Sequence, residues 1–353
     1  MGNKKSETVT KKQELTTQKV ILNPDLKIAQ KKKLSTKSTY HFLLESFVMQ
    51  LEKWEKDLTH IKSKDYDRFM PEVTEVIEKF HKDCKKITNN LSDSLANYYK
   101  LSYRNLLNDY WKQGKVTKRV IEKPNGYDGD YLTMELMYAD KYEGTTKLGK
   151  MLHKYVVNDR SSISVRMRRE YFVNKIKGLV DKKNNVTIMS VASGPATEIY
   201  ELIRREIYPK KIILIDMDKN ALKFATSRIK PILPKFVELI PLNINIYSFV
   251  RFRNKFTSIK DIDYIYSAGL FDYLSDIMVR RLTSVLAKSL NNGGEIEVGC
   301  FSEFPIGFFA DIAADWNLIT RSVDELKELG PKGYEMSTFN IKDQGFLSIK
   351  NSI

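Results

Sequence analysis

The sequence predicts an α/β fold in which a doubly wound, largely parallel sheet with helices on both faces follows an all-helical N-terminal unit. One observation is the apolar run 186–191, which ends in a turn of small residues, 192–196, before a helical pattern that begins near Thr197. Another is the apolar run 211–215, which ends at Asp216. A strand, a tight turn and a helix, with an acid about 20 residues further on, form the nucleotide-binding corner of such a sheet.

The remaining strands are predicted by short apolar runs that alternate with helical patterns. They cover residues 237–242, 262–266, 294–299, 334–340 and 346–350. The last two flank a short polar turn and predict a closing antiparallel hairpin. The Asn-Asn-Gly-Gly segment at 291–294 predicts a turn just before the third of these strands. These elements assign residues 181–353 to the α/β domain.

Three segments are predicted ahead of this domain. Residues 1–38 are rich in Lys, Thr and Ser and predict a mobile basic tail. Residues 39–120 predict a helical domain, because apolar side chains recur there at three- and four-residue spacing. Residues 121–180 form a bridge that is dense in Tyr, Asp and Gly. Such a bridge is either a lid over a ligand site or an ordinary connection between domains.

Charge and cysteine usage limit the function classes. The net charge of +15 raises the question of a nucleic acid or an acidic membrane as a partner, and the first forty residues, with ten Lys against three acids, supply nearly half of it. Cys84 and Cys300 have no paired spacing, which favours a reducing compartment. No cluster has metal-ligand spacing, so no metal site is predicted. No apolar run approaches the ~20 residues of a membrane span, so we expect a cytoplasmic protein without a transmembrane segment.

The chain also carries seven short motifs in a fixed order. They are GYDGD at 126–130, YEG at 142–144, LHKY at 152–155, VRMRR at 165–169, SVASGPA at 190–196, SAGLFDYL at 267–274 and DWNLITR at 315–321. Together they resemble the class I S-adenosylmethionine-dependent methyltransferases, and among these the bacterial family associated with biosynthesis of the extracellular factor 3-hydroxypalmitic acid methyl ester. The resemblance covers residues 121–353. It implies a Rossmann-like sheet, S-adenosylmethionine as the cofactor, and a small-molecule or fatty-acid-like acceptor that is methylated at a carboxylate or hydroxyl oxygen.

The resemblance further implies which residues bind the cofactor. They are Ser193, Gly194, Ala196, Glu198, Asp216, Asn243, Ile244, Ser267, Ala268 and Gly269. Among them, Asp216 would accept hydrogen bonds from the ribose hydroxyls, and Asn243 and Ile244 would flank the adenine. Asp218 is instead predicted to cap the helix that begins near Lys219.

The first turn departs from the commonest pattern of this fold. Ser190 stands where an acid is usual, and Ala192 and Ala196 replace two of the usual glycines. Alanine fits such a turn if its φ stays negative. We therefore expect negative φ angles at both alanines.

Candidates for acceptor binding and catalysis follow from the chemistry of methyl transfer. A carboxylate is already nucleophilic at neutral pH and needs only positioning donors, whereas a hydroxyl or an amine needs a general base. The candidate donors are Tyr127, Tyr138, Arg166, Arg168 and Arg321, and the candidate bases are His153, Asp130 and Asp272. By resemblance, the residues that face the cofactor or the substrate are Phe271, Asp272 and Tyr273. Each arginine has the alternative of a helix-surface charge, and His153 that of a structural histidine.

Two other function classes stay open. The charge suggests a nucleic-acid methyltransferase, but SAGL at 267–270 stands where base N-methylation uses an Asn/Asp-Pro-Pro-aromatic motif. Cys300 lacks the surroundings of a cytosine C5 nucleophile and is predicted to be a small buried thiol. A non-catalytic regulatory protein would bind the cofactor without room for an acceptor. The N-terminal helices are predicted to pack on the main domain or to form a homodimer contact.

Overall fold

Seven strands form one mixed sheet in the computed structural model, which describes residues 24–89 and 91–352. The strands are β1 (Thr187–Val191), β2 (Lys211–Asp216), β3 (Glu238–Asn243), β4 (Ile262–Ser267), β5 (Leu290–Phe301), β6 (Glu335–Ile341) and β7 (Gln344–Lys350). Their spatial order is β3-β2-β1-β4-β5-β7-β6. The first five are parallel, and β7 runs antiparallel to both of its neighbours. The predicted doubly wound, largely parallel sheet with its closing antiparallel hairpin is confirmed.

Helices cover both faces of this sheet. Those that follow β1 are α8 (Thr197–Arg204), α9 (Lys219–Ile229), α10 (Ile246–Arg251), α11 (Asp276–Ala287), α12 (Gly307–Ala314) and α13 (Val323–Glu328), in chain order. One apolar core lies on each face of the sheet, with Leu282 in one and Leu202 in the other. The direction of the crossovers reverses between β1 and β4, and ligands bind at the strand ends beside such a switch point.

The turn predicted at 291–294 is wrong, because these residues lie inside β5. The pairing of β4 with β5 is irregular there: Ile262 pairs with Leu290, but Tyr264 pairs with Glu295. The extra residues bulge out of the ladder, and Gly293 adopts a φ of 73°. A Gly-Gly pair thus allows a bulge as readily as a turn.

Seven helices precede β1 among the residues described. They are α1 (Pro24–Thr59), α2 (Tyr66–Thr88), α3 (Asp93–Trp111), α4 (Lys115–Glu122), α5 (Tyr131–Ala139), α6 (Lys147–Asn158) and α7 (Arg160–Val180). The predicted tail at 1–38 is too long, because the helix begins at Pro24, and residues 1–23 of that tail lie outside the described residues. No helix in the described ranges is long and apolar enough to cross a membrane.

The core of the helical unit includes an element from the far end of the chain. Helix α12 packs against α2, α3 and α4. The Phe309 ring lies tilted against the Trp111 ring with 4.5 Å between their centroids, and both residues are buried. On the rim, Lys100 lies 2.9 Å from Asp315. This docking fixes the helical unit against the segment that follows β5.

Candidate functional site

A cleft of about 480 Å³ opens at the carboxyl ends of β1, β2 and β4. Its residues come from the turns after β1, β2, β3 and β4, from α5, α7 and α8, and from the loop 123–130. They include Gly126, Tyr127, Gly129, Tyr131, Met134, Tyr138, Arg168, Ser190, Ala192, Ser193, Gly194, Glu198, Asp216, Met217, Ile244, Asn245, Ile246, Tyr247, Ala268, Gly269, Leu270, Tyr273 and Leu274. This volume lies in the range of sites that enclose a ligand of nucleoside size.

The turn between β1 and α8 has an unusual backbone. Ala192, Gly194 and Ala196 all adopt positive φ angles, of 54°, 51° and 47°. The expectation of negative φ at the two alanines is wrong, and each pays the left-handed cost of about 1–2 kcal/mol. The tight path brings the N–H of Ser193 to the carbonyl of Ile215, 3.0 Å away. It also leaves the Ser193 hydroxyl buried against the cleft without a hydrogen-bond partner in the protein.

Asp216 ties this turn to the end of β2. One carboxylate oxygen accepts the N–H of Gly194 at 2.7 Å, and the other accepts the N–H of Asp218 at 2.8 Å. The side chain is only 8% exposed, and burial raises its pKa above the usual value. Each oxygen keeps a lone pair, so the carboxylate can still accept a hydroxyl donor from the cleft.

Asp218 caps α9, as the sequence predicted, by accepting the N–H of Asn220 at 2.8 Å. Its second oxygen accepts the Tyr127 hydroxyl at 2.9 Å. Tyr127 belongs to the loop 123–130, so this bond closes the loop over the β2–α9 turn. The loop therefore forms one wall of the cleft.

Gly129 brings the same loop against the far side of the cleft. Its φ is 65°, and a Cβ atom there would lie 3.0 Å from the Tyr273 hydroxyl and 3.2 Å from the Trp316 ring. The Trp316 indole N–H donates to the Tyr273 hydroxyl at 3.0 Å. Only glycine combines this backbone conformation with so close an approach.

Three predicted cofactor residues do not line the cleft. The Asn243 amide is turned away and donates to the carbonyls of Asp216 and Met217. The Ser267 hydroxyl is fully buried and donates to the carbonyl of Val191 at 2.9 Å. Ala196 packs inside the sheet core. Asn243 and Ser267 end strands whose side chains alternate between the two faces, and theirs point away from the cleft. Ala196 is the N-cap of α8 and packs inward from the turn.

Glu198, in the first turn of α8, and Tyr138, near the end of α5, both line the cleft. Glu198 is buried and accepts the Tyr266 hydroxyl at 2.7 Å. Burial raises the pKa of Glu198 and that of the Tyr138 phenol. A phenol with a raised pKa is a poor base at neutral pH but a good hydrogen-bond donor.

A second, smaller cavity of about 60 Å³ adjoins the cleft. Apolar side chains from α4, α5, α6, α7 and the segment after β5 enclose it: Val120, Met134, Met137, Val156, Val165, Phe301, Phe304, Ile306, Phe309, Ala310, Trp316 and Leu318. Asp272 lies in its wall and accepts the N–H of Phe301 at 2.6 Å. Five residues line both spaces, namely Gly129, Met134, Arg168, Gly269 and Tyr273.

Two of the predicted bases are held by structural partners instead. His153 is fully buried, and its Nδ1 accepts the N–H of Val116 at 3.0 Å. Asp130 accepts both arms of the Arg119 guanidinium, at 2.8 and 2.6 Å, and caps α5 through the N–H of Thr133. Neither lines the cleft or the second cavity. Assigning either as the base is therefore wrong on position.

Three predicted substrate residues also lie elsewhere. Arg166 donates to main-chain carbonyls at the ends of α5 and α6. Arg321 donates to the carbonyl of Phe271 at 2.8 Å and lies 2.8 Å from Asp276. The Phe271 side chain is fully buried in the sheet core. Arg321 and Phe271 hold the loop after β4, whereas Arg166 joins α5 to α6, and none of the three lines either space.

Cys300 is a buried thiol, as predicted. Its Sγ donates to the carbonyl of Ile319 at 3.2 Å, and burial raises its pKa. A thiol of raised pKa is a poor nucleophile. The structure gives it no opening onto the cleft.

Several residues of the site were not predicted. Tyr131 and Met134 come from α5, and Asn245, Ile246 and Tyr247 follow β3. The position directly after the end of a parallel strand was an available signal for the second group. The first group comes from a helix distant in sequence, and only the folded chain brings it to the cleft.

Comparisons with known proteins give limited similarity. No protein-family model and no curated protein matches the chain. A possible exported protein from Bordetella parapertussis is 14% identical over 68% of this chain and 87% of that chain, with a TM-score of 0.49. The N-methyltransferase NodS from Bradyrhizobium japonicum WM9, solved with S-adenosyl-L-homocysteine, is 14% identical over 64% of this chain and 100% of that chain, with a TM-score of 0.40.

An O-methyltransferase family protein from Burkholderia thailandensis is 15% identical over 56% of this chain and 62% of that chain, with a TM-score of 0.40. Similarity at this level carries no argument about activity. The function therefore has to be argued from the cleft, the second cavity and their side chains.

Proposed function

We propose that this protein transfers a methyl group from S-adenosylmethionine to a carboxylate or hydroxyl oxygen of a small-molecule or lipid-like acceptor. The observation that carries the proposal is Asp216. It ends β2, faces a cleft of about 480 Å³ and is bonded to the N–H of Gly194 across the turn after β1. A carboxylate in this place suits the ribose hydroxyls of a nucleoside.

The other residues of the cleft fit the remaining parts of that cofactor. Ile244, Ile246 and Leu274 offer an apolar slot for the adenine. The buried Ser193 hydroxyl, which lacks a protein partner, offers a hydrogen bond to a polar group of the ligand. Glu198 is an acid in the same wall that suits an ammonium group. When bound, S-adenosylmethionine supplies a methyl group on a cationic sulfur.

The side chains between the two spaces suit an acceptor that needs no base. Asp272 is the only predicted base that lines either space, and its carboxylate already accepts the N–H of Phe301. The Tyr273 hydroxyl accepts the Trp316 N–H. The protein's tasks are then to position the acceptor and to exclude water, which suffices for an anionic nucleophile.

The test is calorimetric titration with S-adenosylhomocysteine. We expect micromolar binding to the wild type. Asp216→Asn keeps the shape of the side chain but replaces a charged acceptor with an amide, so affinity should fall roughly tenfold or more. Asp324→Asn, at an exposed position of α13, is the matched control and should bind like the wild type. Absence of binding to the wild type at millimolar ligand would reject the proposal.

A further inference from the structure

Arg168 is a buried cation without a counter-ion. Its side chain is only 4% exposed. One terminal nitrogen donates to the Gln344 side-chain oxygen at 2.9 Å, and Nε has no partner. Within the described residues, no carboxylate oxygen lies within 4.0 Å of its guanidinium nitrogens. A buried charge that is not neutralised destabilises a folded protein, so the fold maintains this arrangement at the expense of stability.

Two other arginines of the chain lie beside a carboxylate that neutralises their charge. Arg321, which is equally buried, lies 2.8 Å from Asp276. Arg119 lies 2.6 Å from Asp130. Arg168 and Arg321 are the two arginines that are buried in the described part of the chain, and of these two only Arg168 lacks a carboxylate partner.

Arg168 stands where the cleft meets the second cavity and lines both. Gly269 leaves room for it, since a Cβ atom there would lie 3.2 Å from its Nη2 atom. The acids that face it from neighbouring elements are Asp272 and Glu198. Both are engaged with other donors, the N–H of Phe301 and the hydroxyl of Tyr266. The free N–H groups therefore remain for an anion that arrives from outside.

The second cavity defines the group attached to that anion. Its walls are mostly apolar, apart from the charged end and the hydroxyls of Ser161 and Ser162, which are bonded to main-chain groups, and its volume is about 60 Å³. At about 10–15 Å³ for each water-sized group, that is room for roughly five non-hydrogen atoms. A short aliphatic chain or a small ring fits this space, whereas a long acyl chain does not.

We propose that Arg168 receives the carboxylate of the methyl acceptor, and that the acceptor is a compact hydrophobic carboxylic acid whose apolar group fills the second cavity. This inference rests on the proposed methyl transfer. A carboxylate oxygen forms the new bond to the methyl carbon as the S–CH₃ bond breaks. The electron pair of that bond stays on sulfur, and no proton moves. The product is a neutral methyl ester, which Arg168 holds less tightly than the acid.

The experiment measures equilibrium binding of hexanoate and benzoate to protein saturated with S-adenosylhomocysteine. Hexanamide and benzamide serve as neutral isosteres, and palmitate tests the size limit. We expect both short acids to bind and the amides and palmitate to bind at least tenfold more weakly. Arg168→Met should weaken the short acids about thirtyfold or more, and Arg168→Lys, which keeps the charge, should weaken them less. Arg205→Met, at an exposed ion pair with Glu170, is the matched control and should bind them as the wild type does.

Two further readouts distinguish this role from others. S-adenosylhomocysteine should bind wild type and Arg168→Met within about threefold of each other. A tenfold loss would assign the arginine to the cofactor's own carboxylate and overturn the inference. The ligand-free Arg168→Met protein should unfold at the same temperature as the wild type or a higher one, because an unpaired buried charge is removed. A lower midpoint would indicate a structural role.

Equal binding of acids and amides, or of hexanoate and palmitate, would also overturn the inference, as would no binding of any acid. In each of these cases the binding of S-adenosylhomocysteine to the wild type still stands. Failure of the inference is thereby separated from failure of the proposed function.

Discussion

At the scale of single residues, the β1–α8 turn holds its shape at a cost. Ala192 and Ala196 carry side chains in a conformation that favours glycine, and Gly194 lies between them. The Asp216 carboxylate accepts the Gly194 N–H, so part of the hydrogen bonding that holds the turn comes from the next strand. A ligand-binding loop that is strained in this way is prearranged for its ligand.

Ala192→Gly should stabilise the protein. The substitution removes a left-handed penalty of about 1–2 kcal/mol and adds a glycine entropy cost of about 0.5–1 kcal/mol. We therefore expect a net gain of up to about 1.5 kcal/mol in the free energy of unfolding, measured with urea. Ala225→Gly is the matched control, because Ala225 lies in the interior of α9. That variant should lose about 1 kcal/mol or more. A loss in Ala192→Gly would contradict the strain.

At the scale of elements, the contacts of the loop 123–130 bear on whether it is a lid over the site or an ordinary connection between domains. It spans the cleft from Tyr127, which donates to Asp218, to Gly129, which lies against Tyr273 and Trp316. Both contacts cross the site. They support the lid, and two glycines of the loop provide a test.

Gly129→Ala and Gly126→Ala form a matched pair. Both positions have positive φ, but a Cβ at Gly129 would meet Tyr273 and Trp316, whereas none of the described atoms lies within 4 Å of a Cβ at Gly126. Both should lose about 1 kcal/mol of stability. If the loop is a lid, only Gly129→Ala should also weaken S-adenosylhomocysteine binding, by roughly fivefold or more. Equal affinities of the two variants would identify the loop as a connection.

Local sequence patterns predicted the helices and strands better than they predicted the contacts between side chains. The strands and the turn after β1 were predictable because apolar runs and small residues are contiguous in sequence. Arg166 and Arg321 were predicted as substrate ligands because a guanidinium's carbonyl partners leave no mark on the sequence. The second cavity could not be predicted either, since its walls, such as Val120 and Phe309, come from distant segments. Only Arg168 keeps the role of a candidate donor with free N–H groups.

At the scale of the whole molecule, two buried histidines couple folding to pH. His81 lies in the aromatic core of the helical unit, with its Nε2 2.9 Å from the Tyr103 hydroxyl. His153 accepts the N–H of Val116 through Nδ1, so its neutral form is the one that fits. Burial lowers the pKa of His81 to about 3 and that of His153 to about 4.

Stability should therefore fall as the pH falls below about 6.5. The unfolded chain then binds protons at both histidines, whereas the folded chain does not until the lowered pKa values are reached. Each histidine should remove about 2 kcal/mol between pH 7.5 and pH 5. Buried acids with raised pKa values, such as Glu198, act in the opposite direction.

Variants isolate the histidine contribution to this pH dependence. His153→Asn can still accept the Val116 N–H but does not titrate, so its loss of stability between these pH values, measured by urea unfolding, should be about 2 kcal/mol smaller than that of the wild type. His60→Asn, at an exposed position, should match the wild type. An unchanged pH dependence in His153→Asn would show that this imidazole is not buried in its neutral form.

The docking of α12 has a consequence for synthesis on the ribosome. The last of the helices α1 to α6 ends at Asn158, but α12, which completes their core, begins only at Gly307. At a translation rate of ~5–20 residues per second, α12 emerges roughly 8–30 seconds after α6. For that interval the nascent helices expose an apolar seam around Trp111 that nothing later in α7 to α11 covers. We therefore expect the protein to be most vulnerable while it is being translated, and a chaperone that binds unfolded chains would cover that apolar seam during this time.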